Sequence, residues 1–532
     1  MNPRGASHEI ALQGSLAAAL LLAAGCSEQH AGGHAAGSAP IAVVTQAVAI
    51  PTATPGLATT AAPSPTVAPR VDEAKSAPAP GARIHAKARF AWIQAQPRSS
   101  NGWLGYLSLG GSAPLRGGSV ESARVVGSGC NAWYAIEPRG YVCDGDSASV
   151  NPEDPVVRAL AADAPKTDAP WPYEYGESMG APRYIRPPTL AEQRSTEWDL
   201  DAHQKRITAA RAGENVDKSL IGVDLAPAGV PMPALFSFTP QVREARPFVA
   251  PGSTVAYTRA FDDGDRAFLL AHDKALIPRD RVRPYPRSTF HGVELGESVA
   301  LPIAFFRRID RPKYRKGDDG VFTKTGESWP RLAWVALVGA QETSGKQVFL
   351  ATKEPGVFVL ESDASVIRQA SPPPGRPDPS SGTGRRTWLD ISVLDGWLVA
   401  YEGMTPVYAT LIAPGRGGVP YGDRDPLETA STPTGTFRVD GKFVTATMVS
   451  STNDMIVHTE VQFVQNFHGP HALHGAYWHD AWGEPKSGGC INLAPIDAKR
   501  VFEWSEPTMP AGWHGIRSVP EAGAATVVSV HK

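Results

Sequence analysis

Along residues 85–146, apolar and polar positions alternate in short runs, ARFAWIQAQP, GWLGYLSLGG and NAWYAIEPRGYVCDG, interrupted by Gly and Pro. A period of two buries one side of an extended backbone, so this stretch predicts a small barrel of short strands over 84–150. The pattern returns between 231 and 370 in STVAYTRAF, RAFLLAHDKALIP, LAWVALVG and KQVFLATKEPGVFVLES, predicting a second β domain. It returns again from 387 to 415 in TWLDISVLDGWLVAYEGMTPVYATLIAPG. Helical periodicity is confined to two places. One is LAEQRSTEWDLDAHQKRITAARA (190–212), a charged amphipathic packing or spacer helix inside a Pro-rich connector over 151–230. The other is Asp497 to Trp504, with Pro495 near its first turn and Ile496, Val501 and Phe502 facing the core. The chain is therefore expected to be mainly β.

Three segments depart from any packing pattern. Residues 15–26, SLAAALLLAAGC, form an apolar run too short to span a bilayer and closing on small residues, as in a secretory signal over 1–26. Ala-Gly-Cys at 24–26 resembles a lipobox, which would make Cys26 a lipid-modified N-terminus and place the protein in the cell envelope, membrane-anchored on the periplasmic side; the alternative is a signal cleaved elsewhere. Residues 27–83, rich in Ala, Pro, Thr, Gly and Ser from 31 to 82, bury too little to offset ordering entropy and read as a tether. SPPPGRPDPSSGTGRR (371–386) marks a linker, leaving 387–520 as a last domain and 521–532 as a tail.

Composition adds boundaries to this picture. With 42% hydrophobic and 20% charged residues and a net charge of −2, the chain lacks the basic footprint of a nucleic-acid binder, and it carries no dinucleotide or phosphate-loop glycine motif. Its four cysteines sort by position. Cys130 and Cys143 flank a strand, a Pro-Arg-Gly turn and a strand, so they can face each other across a hairpin as a disulfide in an oxidising compartment. With Cys26 assigned to lipid, Cys490 is left for chemistry.

Residues 474–493 read HGAYWHDAWGEPKSGGCINL, with His474 sixteen positions before Cys490. A thiol with a free pKa near about 8.5 is mostly protonated at neutral pH, so a nucleophile needs a neighbouring base. Gly488 and Gly489 permit a sharp turn whose N–H groups, with that of Cys490, can point at a developing oxyanion.

This stretch resembles the active-site signature of the YkuD family, the L,D-transpeptidases of bacterial cell walls. His474, Gly475, Ser487, Gly489, Cys490 and Asn492 fall on the family pattern, and Gly488 departs from it, standing where a histidine is usual. Upstream, 387–415 resembles the family's opening strands, and TPTGTFRV (432–439) resembles its turn and strand. The resemblance implies a C-terminal β-sandwich catalytic domain, and the barrel over 84–150 is similar to bacterial SH3-like domains that bind wall peptides, a topology also expected for the second β domain. In that barrel Trp103, Tyr106, Trp133 and Tyr141 are groove or core.

The resemblance further implies the roles. Cys490 attacks the carbonyl before the terminal D-Ala of a peptidoglycan tetrapeptide stem, and His474 takes the thiol proton and returns it to the leaving amine. The Gly475 carbonyl orients the histidine ring, and the N–H groups of Gly488, Gly489 and Cys490 make the oxyanion hole. Ser487 and Asn492 support the turn or the substrate, while Tyr477 and Trp478 are cleft walls or plain packing; Tyr401 and Thr436 are further candidates. The thioester passes to an amine, giving a 3-3 cross-link or an anchored protein, or to water. No cofactor is implied, and a monomer is expected. Two other readings stand beside this one. His468, His471, His474 and His479 with Asp480 and Glu484 offer zinc ligands for a metallo-amidase or endopeptidase. Alternatively, the Gly488 departure leaves a wall-binding protein without catalysis.

Overall fold

The segment Thr387–Ser392 is buried along its whole length, although its sequence, TWLDIS, alternates. Its polar members explain how. Asp390 accepts from His531 at 3.0 Å, and Ser392 donates to the Lys532 carbonyl at 3.0 Å, so both faces can be covered without stranding a polar group. The strand sits inside a six-stranded sheet in the order Val293–Glu294, Thr405–Leu411, Trp397–Glu402, Thr387–Ser392, Val527–His531, Gly435–Arg438. This computed structural model describes residues 81–99, 102–222, 225, 228–232, 247–373, 386–449, 456–519 and 524–532. The signal, Cys26, the tether up to residue 80 and most of the 371–386 linker lie outside these residues, while Arg83, at the tether's expected end, already opens the strand Arg83–Ala86.

The described part of the expected tail, residues 524–532, is not a tail. Val527–His531 runs parallel to Thr387–Ser392 and antiparallel to Gly435–Arg438, and Val528 and Val530 enter the core. The sequence VVSV has the period of a strand, but so short a run at a chain end does not announce its partners.

Facing this sheet is one of ten strands that runs Ile491–Leu493, His471–Gly475, Val457–His468, Gly441–Val449, Gly515–Arg517, Trp103–Leu107, Ala91–Gln94, Tyr141–Asp144, Ala132–Ala135, Arg124–Val125. Leu389, Ile391 and Leu398 of the first sheet pack with Phe463, Leu473 and Ile491 of the second, and helix Pro495–Trp504 adds Val501 and Phe502. Ile496 is half-buried. Burying side chains of this size contributes roughly 1.5–3 kcal/mol each before entropy. Lys442, fully buried, closes the end of that helix by donating to the Phe502 and Ser505 carbonyls at 2.5 and 2.8 Å.

Five strands of the expected separate barrel over 84–150 thus belong to a sheet shared with the last 130 residues. The junction is Tyr106 against Gly515 and Gly105 against Ile516. A Cβ on Gly105 would lie 2.2 Å from the Gly515 carbonyl oxygen, so glycine is what lets the two strands meet. The hairpin read around Pro-Arg-Gly is present, and Cys130 and Cys143 are disulfide-bonded with Cα atoms 5.9 Å apart.

The boundary expected at 230 does not hold either. Glu174–Ser178, from the connector, is an interior strand of a five-stranded sheet otherwise built from residues 254–284. Residues 303–367 form a further sheet of seven strands. The single helix read over 190–212 is two, Leu190–Thr196 and Leu200–Arg211. Between them Glu197 turns inward, accepting from Tyr184 at 2.7 Å, Gln193 at 2.9 Å and Arg281 at 2.6 Å. That buried ionic contact outweighs the helical pattern. The described residues from Ala82 onward belong to one compact unit.

Candidate active site

Strands His471–Gly475 and Ile491–Leu493 run parallel, with Leu473 beside Ile491 and His474 beside Asn492. Side chains alternate faces along each strand, so Leu473 and Ile491 enter the sandwich core while His474 and Asn492 project from the opposite face. One step before Ile491, Cys490 falls level with Ala472 and shares the face of His474. Sequence spacing and sheet register therefore bring the expected pair to neighbouring positions.

His474 is fully buried, and its Nδ1 lies 3.0 Å from the Gly475 carbonyl oxygen. A carbonyl can only accept, so Nδ1 carries the proton and Nε2 presents a lone pair. Nε2 has no hydrogen-bond partner among the described residues. Burial lowers the pKa of His474 to about 4, with the Gly475 carbonyl pulling weakly the other way, so the ring is neutral at pH 7.

The turn before the nucleophile is held by Ser487, whose hydroxyl donates to the Cys490 carbonyl at 2.5 Å and accepts the Gly489 N–H at 3.1 Å. Gly489 has φ +131°, and a Cβ there would lie 2.9 Å from the Ser431 carbonyl and 3.0 Å from His471 Nε2. Cys490 Sγ lies 3.9 Å from the Pro470 carbonyl. The sulfur is disulfide-bonded, and the nucleophilic form is the reduced thiol.

The remaining expected residues differ in where they lie. Asn492 Nδ2 lies 3.1 Å from His479 Nε2, while His479 Nδ1 accepts the Ala481 N–H at 3.1 Å. In a neutral ring Nε2 then carries the proton and meets the amide through its oxygen, which otherwise lacks a partner among the described residues. Asn492 thus fixes a neighbouring ring. Trp478 borders the base, its ring 5.9 Å from that of His474, and stacks on His458 at 4.5 Å. Tyr477 is a packing residue: only 4% exposed, it donates to the Thr459 carbonyl at 2.8 Å, bonds the Thr254 hydroxyl at 2.7 Å and lies on Tyr175. Tyr401 is likewise buried, stacked on Trp388 at 4.2 Å, and Thr436 is exposed on an outer strand.

The histidine-rich stretch does not converge. His479 is tied to Asn492 and Ala481, His471 Nδ1 to the His468 carbonyl and His474 to Gly475. The Asp480 carboxylate accepts from Ser288 and Trp482, and that of Glu484 lies 3.7 Å from Arg308. Among the described residues no three such groups are placed to share a metal ion.

Residues the sequence reading missed include Asp497, fully buried beside this sheet. It accepts from Tyr408 at 2.6 Å, from Thr410 and from the Gly292 N–H at 2.9 Å. Burial pushes its pKa up to about 6, while those donors hold it down. Nothing in the local pattern distinguishes it from an ordinary first-turn acidic residue.

Residues 386–517 match the family model for YkuD, the L,D-transpeptidase catalytic domain. This part of the chain is a YkuD domain. Among solved structures, the chain is similar to an Enterococcus faecium L,D-transpeptidase at 19% identity, over 27% of this chain and 49% of that one, with a TM-score of 0.20. It is similar to a Stackebrandtia nassauensis L,D-transpeptidase at 19% identity, over 27% and 55%, with a TM-score of 0.18. It is also similar to L,D-transpeptidase 3 of Mycobacterium tuberculosis at 16% identity, over 37% and 79%, with a TM-score of 0.21. The chain spans about half the length of the first two. No curated protein matches it.

Proposed function

We propose that the chain is a peptidoglycan L,D-transpeptidase in which Cys490 is the nucleophile and His474 the general base and acid. The observation that carries this reading is the His474 tautomer: Nδ1 held by the Gly475 carbonyl, leaving a neutral Nε2 on the face that Cys490 shares. Nε2 takes the thiol proton, and the thiolate adds to the carbonyl joining the third stem residue to D-Ala. Collapse of the tetrahedral adduct expels D-Ala, whose amine receives the proton from His474, and leaves a thioester. An acceptor amine then adds, gives its proton to His474 and releases the Cys490 thiolate. A diaminopimelate amine would give a 3-3 cross-link and a protein lysine an anchored protein, while water would give a trimmed stem.

The oxyanion hole falls to the N–H groups of Gly488 and Cys490, since that of Gly489 is engaged by Ser487. Cys490 and His474 are both shielded from solvent, so a peptide reaches the sulfur only as the surroundings open. The tether and a lipid on Cys26 would let such a centre work on the wall from a membrane.

Release of D-Ala from disaccharide-tetrapeptide by the reduced full-length protein tests this. Release abolished by Cys490→Ala and indifferent to chelator is expected. Release that survives Cys490→Ala, or stops with chelator, would overturn it.

A further inference from the structure

His471 is 3% exposed and has no part in the chemistry above. Its Nδ1 lies 3.2 Å from the His468 carbonyl oxygen, and because that oxygen can only accept, Nδ1 carries the proton. Burial lowers the ring's pKa, so it is neutral and Nε2 is a bare acceptor. Nε2 has no hydrogen-bond partner among the described residues, which a native interior rarely tolerates without a use. It stands 3.0 Å from where a Cβ of Gly489 would be, one residue from the nucleophile, and the next residue back, Pro470, puts its carbonyl 3.9 Å from Cys490 Sγ. Two successive glycines, Gly488 and Gly489, bring no side chain to that flank. An acceptor beside the nucleophile turn, shielded from water and already in the right tautomer, suits an N–H donor.

We infer that His471 Nε2 receives an N–H of the stem peptide and holds it against the nucleophile turn, as a substrate-positioning residue on the side of the turn that His474 does not serve. The inference rests on the transpeptidase reading for the identity of the ligand but not on turnover. The natural donors are the backbone amides of the stem and the amine of its third residue. Either loses its partner if the imidazole becomes a hydrocarbon ring and keeps one if it becomes an amide.

The test is binding of disaccharide-tetrapeptide by calorimetry to the full-length protein carrying Cys490→Ala, alone and with His471→Phe or His471→Gln. The cost of opening the site is common to all three. His471→Phe should weaken binding about tenfold, and His471→Gln, which retains an acceptor oxygen, should stay within about threefold. In the Cys490→Ala parent, the 15N resonance of His471 Nε2 should also shift on peptide addition, a readout that needs no variant at 471. Equal affinity in His471→Phe, equal losses in both variants, an unmoved 15N resonance or no binding by the parent would each overturn the inference. Failure of the transpeptidase reading is seen separately, as absence of D-Ala release by the unsubstituted protein.

Discussion

The ring of Tyr477, three residues beyond His474, lies flat on that of Tyr175, with centroids 3.8 Å apart and planes 16° from parallel. The Tyr175 hydroxyl donates to the Glu460 carbonyl at 2.9 Å, and the Tyr477 hydroxyl reaches Thr254 and Thr459. The strand end that carries the base is thus anchored by residues some 200 to 300 positions earlier, and the YkuD domain relies on the preceding sheets for part of its core.

Tyr175→Ala is therefore expected to cost about 3–5 kcal/mol, as for other large buried rings, and Tyr175→Phe, which loses only the hydroxyl contact, about 1 kcal/mol. Denaturant unfolding measures both. A Tyr175→Ala protein with unchanged stability would mean that the YkuD domain folds without this support.

Glu460 ties three regions together. Its carboxylate meets Arg89 at 2.9 Å and His272 at 3.6 Å and accepts from Thr445. Burial alone would raise its pKa, but Arg89, His272, His514 and the Thr445 hydroxyl bring it down to about 2. Arg89→Ala leaves a buried carboxylate short of its main counter-charge and should cost about 3–5 kcal/mol at pH 7. With a folded pKa below the unfolded one, Glu460 contributes stability that is present above about pH 4.5 and lost as pH falls towards 2. In Arg89→Ala that acid-side loss should begin at higher pH.

Between about pH 4 and 6 the histidines dominate. His474, His479 and His514 are lowered to about 4, 3 and 4, each first by burial, so on unfolding in this window each takes up a proton. Asp497, raised to about 6, releases one. His471, also lowered, acts in the same sense as those three histidines, whereas His531, raised, is protonated in both states in this window. The unfolded state then binds about two more protons than the folded one, and stability should rise with pH by up to about 3 kcal/mol per unit. Urea titrations at pH 4.5, 5.5 and 6.5 read this slope, and a flat profile would contradict the burial of these rings.

Gly489→Ala places a methyl group 2.9 Å from the Ser431 carbonyl at a φ that L-residues avoid. It should destabilise the turn by at least about 2 kcal/mol and reduce D-Ala release at least a hundredfold, whereas Ser487→Ala, which removes two hydrogen bonds but no space, should do less.

What could be read in the sequence was local. The His474 and Cys490 spacing, the glycines of the turn and the Cys130–Cys143 hairpin are written within a few dozen residues, and the helix over Pro495–Trp504 carries its own proline start. What could not be read was pairing over long distances. The same alternation that marks Trp103–Leu107 as a strand does not say that its neighbour is Gly515–Arg517, nor that Val527–His531 inserts between two others. Tyr477 illustrates the point within the site: its motif position suited a cleft wall, and a stacking partner 302 positions away makes it core.

The central claim is tested most directly by intact-mass analysis of the reduced full-length protein mixed with disaccharide-tetrapeptide and quenched within seconds. The account predicts an adduct equal in mass to the substrate less D-Ala, mapped to Cys490, absent in Cys490→Ala and slow to form in His474→Gln. No adduct on Cys490 in the unsubstituted protein, or an identical adduct in Cys490→Ala, would contradict it.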